Sequence, residues 1–209
     1  MGNANISTIA DLISRKDEGS IFISSDFADF GTDDAVRKTL SRLVESGDLE
    51  RPIRGVYRKP RLNPFLGRPT VASPDDIACA LARKFEWHIA PYGDTALNHL
   101  GLDTQVPAVI RYVSDGPYRV YEYGPYSIEF RHTANRDLSQ LSPTTALVVQ
   151  ALKALGKNGV TPDMLNAIAS KLDDSQLEAV IKETGNSTVW IREAVRNMGK
   201  RGHRHAEIR

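Results

Sequence analysis

Four prolines, Pro60, Pro64, Pro69 and Pro74, fall close together with Gly67 among them. Each proline lacks a backbone donor and fixes φ, so this segment can run neither as a helix nor as a central strand. The pattern predicts an extended, proline-rich linker over 61–72, separating an N-terminal module (1–60) from a larger C-terminal domain (73–209). A chain of 209 residues is long enough for two such parts, each burying a core of its own.

Before the prolines, the elements follow in a definite order. Ile6, Ile9, Leu12 and Ile13 recur at helical spacing, and Gly19 closes that segment. IFIS (21–24) reads as a short strand, and Ser25 is placed to cap a brief helix that Gly31 stops. Thr32 is a good N-cap for the next helix, with Asp33 and Asp34 at its positive end and Gly47 suited to the turn after Ser46. Leu49 to Ile53 and Val56 to Arg58 then read as two strands joined by Arg54-Gly55. Helix, strand, helix, helix and hairpin is the order of a winged helix-turn-helix.

Charge is distributed to match. The net charge is only +1, but Arg37 to Arg68 holds nine basic residues against three acids, a local excess of six. On the helix from 33 to 46, Val36, Leu40, Leu43 and Val44 share one face. Lys38 and Ser41 lie opposite, flanked by Arg37 and Arg42, where they could offer donors to base edges and phosphates. Asp34 and Glu45 on the same side would repel phosphate, so a solvated mixed-charge face is the competing reading of this helix alone. The hairpin adds Arg51, Arg54, Arg58 and Lys59, as a wing gripping phosphates would require. DNA binding is therefore the expectation, with a winged module that binds protein as the alternative.

After the prolines, Ser73 and Pro74 start a helix ending near Lys84, WHIAP is a candidate strand, and a helix runs from Asp94 to Leu100. Strand patterns follow at 108–113, 118–123 and 126–132, with Gly-Pro-Tyr at 116–118 and 124–126 suiting the turns of an antiparallel meander. The remainder is helical, at 143–155, 161–171, 174–183 and 188–198. Only the first of these shows a clear apolar stripe, and the basic tail after Gly199 is expected to be mobile. The fold class expected is α+β: a winged helix-turn-helix, then a mixed α/β domain with a small antiparallel sheet and C-terminal helices.

No P-loop, dinucleotide fingerprint, HExxH or paired CxxC is present, so no enzymatic activity, cofactor or metal is expected. Of the five histidines only His203 and His205 are closely spaced, and a solvated pair in a basic tail explains them. The tyrosines at 112, 118, 121, 123 and 126 suit a sheet better than a base-stacking surface. The single cysteine, Cys79, is expected to be a buried small residue, and its solitude fits a reducing cytoplasm. Neither a secretory signal nor a membrane-length apolar run is seen, so a cytoplasmic location without membrane partners is expected.

DFADFGTDDAVRKTLSRLVESGDLERPIRGVYRKP resembles the N-terminal winged-helix module of AbiEi-type antitoxins. The likeness continues through SPDDIACALARK, GDTALNHLGLDTQVP and YVSDGPYR, covering about residues 20 to 155; the helical end beyond 157 carries no shared motif. The resemblance implies a two-part protein of an abortive-infection toxin–antitoxin pair. Its first part would bind double-stranded promoter DNA and repress its own operon; its second would counteract a nucleotidyltransferase-like toxin, without a stable toxin complex being required. Onto the matching helix and wing the resemblance carries a DNA-binding role for Thr32, Arg37, Lys38, Ser41, Arg42, Arg51, Arg54 and Arg58. It carries none onto individual residues of the second part.

Overall fold

Thr8 starts the first helix, its Oγ1 accepting from the Asp11 amide at 3.1 Å. The computed structural model describes residues 8–65, 67–105, 107–133, 138 and 140–206, with side chains of the last helix described to Met198. Ile6 and the side chains of His203 and His205 lie outside the described residues. The chain is α+β and divides into two compact units, Met1–Trp87 and His88–Arg209.

In the first unit α1 (Ile9–Ser14) and β1 (Ile21–Phe22) lead to a 3-10 segment, Ser24–Phe30. Asp26, rather than Ser25, secures its start, accepting from the Ile23 amide at 2.9 Å. Next come α2 (Asp33–Glu45), β2 (Glu50–Ile53) and β3 (Val56–Arg58). The three strands form a sheet in the order β1-β3-β2. That order leaves β2 at an edge, where Pro52 can sit without breaking a ladder. Val36 and Leu40 of α2 close the core with Ile9, Ile13, Phe22, Phe27, Leu49 and Tyr57. Gly31 joins the 3-10 segment to α2 at φ 144°, a backbone region open essentially to glycine.

The proline-rich segment is not an open spacer. Leu62 bridges Pro69, the Asn63 amide donates to Arg68 O at 2.8 Å, and the Thr70 amide donates to Arg61 O at 2.8 Å. Proline excludes regular elements but not a tight loop whose remaining donors pair locally. Ser73 then caps α3 (Pro74–Phe85), which buries Ile77, Ala78, Ala80, Leu81 and Ala82. Helix α3 packs on β1 and β3, and Arg83 reaches Ile21 O and Asp26, each at 3.4 Å. The compact units divide at Trp87/His88 rather than at the expected 72/73, and α3 packs on β1 and β3 within the first unit. Cys79 is exposed, not buried: it lies on the side of α3 away from that core.

The second unit holds β4 (Ile89–Pro91), α4 (Asp94–His99), β5 (Val109–Ser114), β6 (Arg119–Tyr123) and β7 (Tyr126–His132). Its sheet runs β4-β5-β7-β6, with β5 parallel to β7 and the other pairs antiparallel. The sheet is therefore mixed, not the antiparallel meander expected. The connection 115–118 crosses over the end of β7, a span of two strand spacings or about 10 Å that four residues cover. Gly124 turns the β6–β7 hairpin at φ 56°.

Helices α5 (Pro143–Leu155), α6 (Pro162–Ala169), α7 (Asp174–Glu183) and α8 (Val189–Ala206) complete the unit. Helix α5 is central, burying Val148, Val149, Ala151 and Leu152 against the others. Helix α8 contributes Ile191, Ala194, Val195 and Met198. That i, i+3, i+4, i+7 stripe is regular, contrary to the expectation that only α5 carries one. The backbone of α8 also continues helically past Gly199 to Ala206, beyond the stop expected there.

Candidate nucleic-acid interface

Helix α2 is set by its cap: Thr32 Oγ1 accepts from the Ala35 amide at 3.3 Å, leaving Thr32 a structural role at the helix start. With Val36 and Leu40 fully buried, the opposite side is fixed toward solvent. There Asp34, Arg37, Lys38, Ser41, Arg42 and Glu45 line one shallow depression. Four of the sequence-predicted residues, Arg37, Lys38, Ser41 and Arg42, therefore share a surface. Arg37 is committed in part to its own helix, pairing with Asp33 at 2.9 Å and Asp34 at 2.7 Å. Arg42 donates to Thr39 Oγ1 at 3.3 Å, while Lys38 and Ser41 stand exposed.

The hairpin separates its cations sharply. Arg54 is exposed at the two-residue tip, next to Gly55 at φ 82°. Arg51 is exposed with its guanidinium 5.9 Å from the centre of the buried Tyr57 ring. Arg58, by contrast, is only 4% exposed. Its guanidinium pairs with Glu50 at 2.6 Å, donates to Thr70 Oγ1 at 2.8 Å, and also donates to Thr70 O. It is spent on holding the proline-rich loop to β2 and β3, so the expected phosphate contact from Arg58 gives way to a structural role. Period two puts Arg58 with Val56 on the face of β3 opposite Tyr57, and that second face is buried as well. Lys59 is likewise engaged, its Nζ donating to Ser14 O at 2.8 Å and Lys16 O at 2.7 Å at the end of α1.

One cation that sequence reasoning left out joins the hairpin. Lys84, in the last turn of α3, donates to Arg54 O at 3.0 Å. Its ammonium also lies 5.0 Å from the Phe85 ring centre. Burial, then the charges of Arg54 and Arg51, hold Lys84 below its ordinary pKa. Nothing in the sequence pairs Lys84 with a hairpin thirty residues earlier once the prolines are taken for a spacer.

The second unit presents a different chemistry. Residues 93–105 serve as a staple: buried Thr95 Oγ1 accepts from the Arg111 amide at 2.9 Å, tying α4 to β5. Asn98 Nδ2 donates to Gln105 O at 3.1 Å, closing the loop after α4. Tyr112 and Tyr121 pack against Phe130 at ring distances of 5.8 and 5.9 Å, while Tyr118 is exposed. A cavity lined by Lys153, Lys182, Glu183, Asn186 and Thr188 lies among the C-terminal helices. Among the described residues no helix is long and apolar enough to cross a membrane, and no three His, Cys, Asp or Glu are grouped to hold a metal ion.

The family model described as "Family of unknown function (DUF6088)" matches residues 8–180, and the chain belongs to that family. No curated protein matches the chain. Among solved structures it is similar to the RV2827C protein from Mycobacterium tuberculosis, at 15% identity and a TM-score of 0.42. That likeness covers 92% of this chain and 75% of the other. It is too loose to carry an argument about site or activity.

Proposed function

We propose that the first unit is a winged helix-turn-helix that binds duplex DNA, and that the chain is an antitoxin repressing its own promoter. The observation that carries the DNA-binding part is the pairing of two features in one folded unit. Helix α2 buries Val36 and Leu40 and turns Lys38, Ser41 and Arg42 outward; the hairpin that follows exposes Arg51 and Arg54 at and near its tip. Such a helix reads base edges in the major groove while the hairpin's arginines neutralise phosphates. The antitoxin part rests on the resemblance of this module and of the SPDDIACALARK and GDTALNHLGLDTQVP segments to AbiEi-type antitoxins. On that reading the second unit counteracts a nucleotidyltransferase-like toxin, the protein is cytoplasmic, and it catalyses no reaction.

Titration of the full chain against its own promoter in a gel-shift assay tests the first claim, and absence of binding at low salt overturns it. Co-expression with the adjacent gene tests the second: restored growth supports it, and unrelieved toxicity counts against it. One observation favours a protein-binding adaptor instead. Leu62, Phe65 and Val71 of the proline-rich loop are 56%, 95% and 76% exposed, a concentration of apolar surface that suits a protein partner. A chain that ignores DNA yet retains a protein partner through Phe65 would favour that alternative.

A further inference from the structure

The positive tip of the hairpin is not built from the hairpin alone. Helix α3 is fixed to the first unit on two sides, through Arg83 to Ile21 O and Asp26 and through Lys84 to Arg54 O. Its last turn is thereby held against the Arg54-Gly55 turn. Gly55 makes that approach possible: a Cβ there would stand 2.3 Å from Lys84 Nζ. The nearest acid on the hairpin, Glu50, is taken by Arg58 at 2.6 Å and does not neutralise the tip.

We propose that Arg51, Arg54 and Lys84 form one phosphate-contacting cluster for the nucleic-acid backbone, with Lys84 as a third cation supplied from α3. This rests on the DNA-binding reading above and adds to it a residue from outside the helix and hairpin. Among the described residues, the charges that act on the Lys84 ammonium are those of Arg54 and Arg51, and their repulsion, after burial, depresses it. A phosphodiester placed among them relieves that repulsion and accepts a charge-assisted hydrogen bond from Nζ. Because Lys84 has three donor protons, its bond to Arg54 O leaves donors for a phosphate oxygen. The bond also holds the hairpin tip, so Lys84 positions Arg54 while contributing charge.

The test measures affinity of the full chain for promoter duplex across a range of salt, for wild type, Lys84→Gln and Lys84→Arg. Glutamine keeps an amide donor one bond short of Nζ but carries no charge, and the salt slope counts charge rather than position. The expected result is a log K against log salt slope shallower by about one for Lys84→Gln, with Lys84→Arg at the wild-type slope. Should Lys84→Gln lose its thermal transition, Lys84→Met, which keeps the aliphatic stem, takes its place in the same titration. A wild-type slope in the uncharged variant overturns the role of Lys84 and leaves the DNA-binding reading standing. A wild-type chain that binds no duplex at low salt overturns both.

Discussion

The Arg58 guanidinium lies 2.6 Å from Glu50 Oε1, with side-chain exposures of 5% and 36%. This pair joins β2 to β3 and, through Thr70, fastens the proline-rich loop. Removing the carboxylate strands a buried positive charge, which in such pairs costs about 3–5 kcal/mol. Glu50 is partly open to water, so Glu50→Gln is expected at the low end, about 3 kcal/mol, read as a lower denaturation midpoint. An unchanged midpoint would mean that the pair does not hold the first unit together.

Leu40 is fully buried in the stripe that seats α2. Leu40→Ala should destabilise the first unit by about 2–5 kcal/mol, from lost burial and the cavity left behind. Any loss of repression then follows from unfolding rather than from a lost contact. A purified variant melting at the wild-type temperature would contradict the assignment of α2's buried face.

Much of this fold was legible because its local signals are strong. Thr32 and Ser73 cap the helices they precede, and each side-chain oxygen accepts the amide three residues on. The Arg54-Gly55 turn and the opposed burial of α2 followed from turn chemistry and period. What escaped depended on contacts distant in sequence. Prolines announce where regular structure stops but not whether a loop folds back, so they give no sign that Arg58 holds Thr70. A boundary drawn before α3 separates Lys84 from the hairpin to which it donates. Strand patterns likewise give no neighbour order, and β7 lies between β5 and β6 despite following both.

A fragment 1–72 lacks α3 and leaves β1 and β3 without the helix packed on them; a fragment 1–87 keeps it. The longer fragment is expected to show a cooperative thermal transition by circular dichroism, and the shorter one a weakened or absent transition. Equal transitions would show that α3 is not part of the first unit's core.

In the second unit, Glu183 at the end of α7 accepts from the Ser142 amide at 2.8 Å and from Ser142 Oγ at 2.9 Å. Desolvation pushes its carboxyl upward, but hydrogen bonds from Thr145 and Ser142, with Lys182 nearby, hold it below its ordinary value of 4.5. A depressed native pKa adds stability above the ordinary carboxylate value and loses it as pH falls through the native one. Glu183→Gln should therefore flatten the acid-side decline of the second unit's melting temperature. The same decline in the variant would remove Glu183 as its source.

Duplex DNA binding by the exposed cations of α2 and the hairpin is the proposal, and Arg54 at the hairpin tip is where a single substitution probes it. The affinity of the full chain for its promoter and for an unrelated duplex is to be measured against salt concentration, in wild type and Arg54→Ala. The account predicts binding that weakens steeply with salt in wild type. In Arg54→Ala both duplexes should be bound more weakly, with the slope reduced by about one. Wild-type affinity and slope in Arg54→Ala, or no binding by the wild-type chain at low salt, would contradict it.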